Sequence, residues 1–138
     1  MNRSDLQRLS ELRLKDAETL LEAGRLEGAY YLLGYAVECT LKSRIAMRIR
    51  EFDFPDKRLA NECYVHDLSK LVTVAGLKEQ LGEEEERNGV FAKNWWVVKQ
   101  WSEDARYEPA IESDRVLKFF TAVTDPTNGV IPWLMKYC

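Results

Sequence analysis

The stretch from Leu26 to Ile45 constrains this chain more than any other. Leu26, Tyr30, Leu33, Val37, Leu41 and Ile45 recur at three- and four-residue intervals, and Ala29, Ala36 and Thr40 widen the stripe they form. That spacing, sustained over several turns, describes an α-helix with one broad buried face. Gly28 and Gly34 sit inside it, close to Ala36. Each interior glycine costs a helix about 0.8–1 kcal/mol relative to alanine, so close packing by neighbours has to compensate. Such a helix belongs at the centre of a fold. Cations from Arg44 to Arg50 follow at its end, where the helix dipole favours them.

The remaining sequence supplies the helices that surround it. Leu6, Leu9, Leu12 or Leu14, Ala17, Leu20 and Leu21 predict a first helix capped by Ser4 or Asp5 and stopped at Gly24. Phe52 to Asp56 breaks the pattern at Pro55, with a short helical piece expected over 56–62. His66-Asp67 opens a third helix through Leu68, Leu71, Val72 and Ala75, ending at Gly76, with Asp67 as its N-cap. Residues 77–89, with four consecutive glutamates at 83–86, read as a polar connection. Val90 to Trp101 predicts a fourth helix with Phe91, Trp95, Val98 and Trp101 on one face. Ser102 to Pro109 interrupts, Ile111 to Val123 predicts a fifth helix, and a turn at 125–129 precedes a short terminal helix, Val130 to Tyr137.

The expected fold is therefore all-α: an up-and-down bundle of four to five main helices plus a short C-terminal helix, in a single domain over 1–138. Seven glycines and four prolines in 138 residues suit helices with short connections better than a turn-rich sandwich. A hydrophobic share of 46 % with 31 % charged residues is that of a folded globular chain.

Charge and motifs exclude several functions. A net charge of −3 does not draw the protein in bulk onto nucleic acid or an anionic membrane, so such binding needs a local patch. No apolar run approaches the roughly 18 residues of a membrane span. The amphipathic start lacks the core of a secretion signal, and three scattered cysteines read as free thiols, which together point to the cytoplasm. One histidine and no paired cysteine motif speak against a metal site, and no cofactor is expected. No phosphate-cradling glycine loop and no nucleophile motif are present.

Four constellations could carry chemistry. Glu38 and Lys42 stand four apart in the apolar helix, either as an ordinary helix pair or as a buried carboxylate needing a further cation. Arg106-Tyr107, in a connection between helices, suits phosphate binding, or reaches back structurally to Glu38. His66-Asp67 marks a helix start, structural in the simpler reading and suited to acid–base work in the other. Arg44 and Arg48 share a face and, with Arg58, form the best candidate RNA or phosphate patch, although a helix C-terminus accounts for part of it.

Three segments resemble a known family. The run Gly24-Arg25-x-Glu27-Gly28-Ala29-Tyr30-Tyr31-Leu32-Leu33-Gly34-Tyr35-Ala36-Val37-Glu38-Cys39-Thr40-Leu41-Lys42 is similar to the first helical hairpin of HEPN (higher eukaryotes and prokaryotes nucleotide-binding) domains. His66-Asp67-Leu68-x-x-Leu71 looks like their third-helix entry, and Trp101-Ser102-x-x-x-Arg106-Tyr107 like the segment before their last long helix. The resemblance implies a helical bundle, commonly a homodimer. It further implies either a metal-independent ribonuclease of a toxin–antitoxin or phage-defence system, or a non-catalytic module beside a minimal nucleotidyltransferase. The nuclease members carry an arginine followed four to six residues later by a histidine. Here no histidine follows Arg106, so catalytic residues are not assigned.

The expectation is accordingly a non-catalytic HEPN-like module binding a nucleotide, RNA or a partner nucleotidyltransferase, as a homodimer. The alternatives are a divergent ribonuclease using Arg106, Tyr107 and His66, and a structural scaffold with an aromatic interface at Trp95, Trp96 and Trp133. Four tryptophans in a chain of this size exceed what one core needs, which adds to the dimer expectation.

Overall fold

Gly24 turns the chain between the first two helices. Its φ of +73° lies in the left-handed region, which lets the Arg25 amide reach Leu20 O at 2.8 Å and the Gly24 amide reach Leu21 O at 3.1 Å. The computed structural model describes residues 1–51 and 61–138, the backbone only for residues 50 and 51. Within them α1 spans Arg3–Glu22 and α2 spans Leu26–Glu51. The pair is antiparallel: near the turn α1 approaches Gly28, where an added Cβ would lie 3.2 Å from Leu20. Further along, the Ser10 hydroxyl lies 2.7 Å from that of Thr40 and donates to Ala36 O at 2.9 Å. The N-cap of α1 is Asn2 rather than Ser4 or Asp5. Its side chain accepts from the Asp5 amide while Asp5 accepts from the Asn2 amide, a reciprocal pair that Asp5 completes from the third helical position.

The other described helices are α3 (Leu68–Val74), α4 (Lys78–Arg87), α5 (Gly89–Lys99), α6 (Ser113–Thr124) and α7 (Val130–Met135), with a 3₁₀ turn over Glu103–Tyr107. The fold is all-α, with no strand among the described residues. The interruption at 52–56 lies outside them; of the expected 56–62 piece, residues 61–62 are helical and the rest lies outside as well. One cluster of buried apolar side chains runs from Ala17 to Leu134, and α2 packs against α1, α3, α6, α7 and the 3₁₀ turn. No described helix is long and apolar enough to cross a membrane.

The expected polar connection at 77–89 is wrong: α4 occupies it. Leu77 and Leu81, four apart, are buried, and Glu84 one turn later is buried too. Glutamate, lysine, glutamine and leucine are good helix formers, so two anchoring leucines suffice to make the acidic run a helix face. Glu84 is held by Arg87, and Asn88 crosses to Asn128 at 2.8 Å.

Donation from Arg87, against the opposing effect of burial, keeps the Glu84 carboxyl below its ordinary range. Because folding lowers this pKa below an unfolded value of about 4.3, the stability it contributes is full above that value. It is lost as pH falls through the lower folded value. Thermal melts of wild type and Glu84→Gln are expected to differ at neutral pH and to converge as pH falls to about 3. A gap that stays constant with pH would show that the charge is not what holds Glu84.

Candidate functional site

On α2, Tyr31, Tyr35, Glu38 and Lys42 fall at helical spacing on one face, and Glu38 is the buried member, only 2 % exposed. An unpaired carboxylate at that depth would be costly. Its partners come from two directions. Lys42 Nζ lies 3.7 Å from Oε2, and His66 Nδ1 lies 2.6 Å from Oε1. The second ring nitrogen of His66 is 3.1 Å from Glu103 Oε2. A carboxylate only accepts, so both contacts are made together when each ring nitrogen carries a proton. The imidazole thus bridges α2 and the 3₁₀ turn.

Local structure explains why His66 stands there. Asp67 caps α3, its Oδ1 accepting the Lys70 amide at 3.0 Å, which sets the chain direction just before Leu68. Leu68 and Leu71 are buried and seat α3 on the core. On the opposite side, the Ser102 hydroxyl accepts the Asp104 amide at 3.1 Å and starts the 3₁₀ turn. Trp101 and Ala105 are buried and anchor that turn to α2. Trp101 lies so tightly over Gly34 that an added Cβ would fall 2.1 Å from its ring. Its indole nitrogen is buried with no hydrogen-bond partner among the described residues, so packing holds the ring there.

Arg106 does not pair with Glu38, the structural role weighed for it from sequence. The anchored turn directs Glu103 to His66 and leaves Arg106 and Tyr107 exposed, Tyr107 71 % so. The Arg106 guanidinium lies 4.8 Å from the Tyr107 ring centroid. Hydrogen bonding to Tyr107, then the fields of Glu103 and Tyr31, raise its pKa further. Glu103 is therefore the common neighbour of His66 and Arg106. Tyr31 continues the surface, its ring 6.2 Å from and 9° off parallel with that of Tyr35, and 6.2 Å from Trp101.

Other candidates have different surroundings. Arg44 donates to Tyr137 O at 3.0 Å and Ala75 O at 3.4 Å, and Arg48 donates to Val74 O at 2.7 Å while packing on Gly76. Both are partly buried and engage carbonyls at the end of α3 and at the C-terminal segment, the helix-end role weighed for them from sequence. Arg58 lies outside the described residues. Cys39 is buried beside Glu38, and burial, then that carboxylate, push its thiol up to about 11, so near neutrality it is an unreactive thiol. Trp95 and Trp133 are buried in the core and Trp96 is 60 % exposed. Trp95 and Trp133 are therefore spent on the core, and of the three tryptophans weighed for an aromatic interface Trp96 faces outward. Among the described residues no group of three His, Cys, Asp or Glu side chains is disposed to hold a metal ion.

Two participants had no strong sequence signal. Glu103 was visible only as part of the Trp101–Tyr107 segment. Arg115 of α6 donates to Tyr30 Oη at 3.3 Å and Glu108 Oε2 at 3.2 Å, and its guanidinium lies 4.9 Å from the Tyr30 ring centroid. It ties the far end of the turn to α2 across a proline break that no helical spacing spans. Compared with known proteins, the chain matches no family model, and no curated protein or solved structure is significantly similar to it.

Proposed function

We propose that this chain is a non-catalytic HEPN-like module that binds a nucleotide or RNA through Arg106 and Tyr107, as a homodimer and with a minimal nucleotidyltransferase as its candidate partner. One observation carries the reading. The three segments that resemble the family meet at a single cluster, where His66 has both ring nitrogens on carboxylates and Arg106 faces solvent beside an aromatic ring. An imidazole engaged on both sides has no free nitrogen to take a proton from a ribose hydroxyl. An exposed guanidinium with a neighbouring tyrosine suits a phosphate and a stacked base. Because the protein is acidic overall, such binding is local and salt-sensitive.

The test is equilibrium binding of AMP and of a short single-stranded RNA at low salt, with cleavage assayed in chelator and the oligomer followed by sedimentation. Saturable binding, weakened about tenfold or more in Arg106→Ala, is expected, with no cleavage and a dimer at micromolar concentration. RNA cleavage that disappears in folded Arg106→Ala would replace this reading by the ribonuclease one. A monomer that binds neither ligand would end it.

A further inference from the structure

A cavity of about 490 Å³ opens along the exposed side of α2, between Leu6 and Leu9 of α1 and Tyr35, Glu38, Lys42 and Ala46 of α2. That volume is in the range of small-molecule sites, roughly 300–1,000 Å³. Its walls are mostly aliphatic, with one polar spot. There Glu38 Oε1 is taken by His66, whereas among the described residues Oε2 has only Lys42 Nζ at 3.7 Å, beyond hydrogen-bonding reach. Glu38 lines the cavity, so Oε2 is an acceptor that a donor inside it can reach. Lys42 adds a donor next to that acceptor. Tyr35 supplies an aromatic wall, and its row with Tyr31 leads toward Arg106, whose guanidinium feels the Tyr31 hydroxyl.

A flat ring with an amino donor beside a ring-nitrogen acceptor complements this pair, and adenine presents such an edge. We propose that the cavity receives an adenine base, its amino group donating to Glu38 Oε2, its ring nitrogen accepting from Lys42 and its face against Tyr35. The inference rests on the nucleotide-binding reading and places the base of that ligand, with the phosphate toward Arg106. Nothing covalent happens in the site: its buried thiol stays protonated, and recognition is by hydrogen bonds and stacking alone.

Calorimetric titration of the full chain with adenosine, purine riboside and AMP tests it. Adenosine is expected to bind about tenfold or more tightly than purine riboside, which lacks the amino group. Glu38→Gln should narrow that ratio. Ala46→Phe, which fills the cavity without touching the cluster, should abolish nucleoside binding with its melting curve intact. Arg106→Ala should weaken AMP more than adenosine. If AMP or RNA binds in an Arg106-dependent way but Ala46→Phe has no effect, the cavity assignment falls and the proposed function stands. If adenosine and purine riboside bind equally, or adenosine does not bind at millimolar concentration, the adenine assignment is overturned; absence of AMP and RNA binding as well removes the proposed function with it.

Discussion

Gly34→Ala is expected to destabilise the protein by about 2–3 kcal/mol, the cost of overpacking a filled core. Helix propensity alone predicts the reverse, a gain of about 1 kcal/mol, because Gly34 lies inside α2 with ordinary helical angles. The difference is Trp101: a methyl at position 34 would sit 2.1–2.2 Å from three of its ring atoms. Those atoms belong to a buried ring at the head of the 3₁₀ turn, and nothing comparable to a flexible side-chain end can yield. The indole has to move, and the turn carrying Glu103 moves with it. Thermal denaturation should show a fall of roughly 5–10 °C. The same variant should loosen the His66–Glu103 contact, read as faster amide exchange over 103–107 than in wild type. A melting temperature equal to or above wild type would mean that Trp101 has another place to go and that the turn is not fixed by this packing.

His66→Ala is expected to cost about 2–3 kcal/mol, which is less than the ~3–5 kcal/mol seen when a buried charge loses its sole partner. The reduction has two causes. Lys42 remains 3.7 Å from Glu38, and His66 itself is 43 % exposed, so water already screens part of the pairing. The residual cost is the desolvated Glu38 carboxylate losing the one hydrogen bond it has among the described residues. Neutralising that carboxylate should therefore recover stability: Glu38→Gln combined with His66→Ala should be more stable than additivity of the single variants predicts. Chemical denaturation of the four proteins gives the coupling directly. A coupling within about 0.5 kcal/mol of zero would make the bridge a solvent-screened contact, with the turn held by Trp101 and Ala105 alone.

Much of this architecture was legible because it depends on local periodicity. The apolar stripe through Leu33, Val37 and Leu41, the Asp67 cap and the Gly24 and Gly76 stops are patterns within a few residues, and each is where the chain placed it. The failures have local reasons as well. The run of glutamates at 83–86 masks Leu77 and Leu81, although two leucines four apart already define a buried face. The tryptophans look surplus in sequence because sequence alone does not show how much volume helices enclose. Trp101 needs Gly34 beneath it, and Trp133 packs 5.2 Å from Phe91, so both are absorbed by one core.

What the sequence determined by itself was the all-α class, the central helix and the residue types available for chemistry, since hydrophobic period and side-chain inventory are properties of a segment. Partnership was decided only in three dimensions. Glu38 announced a need for a counter-charge, but His66 is 28 positions away, and Glu103, which completes the bridge, lies beyond three further helices. Arg44 and Arg48 had the spacing of a basic patch, yet the end of α3 arrives beside them and takes their hydrogen bonds. Charge pairing acts over a few ångströms in space and carries no signature along the chain, so only the packing of α3 and the 3₁₀ turn onto α2 chooses which cation is spent on structure and which, at Arg106, is left facing water.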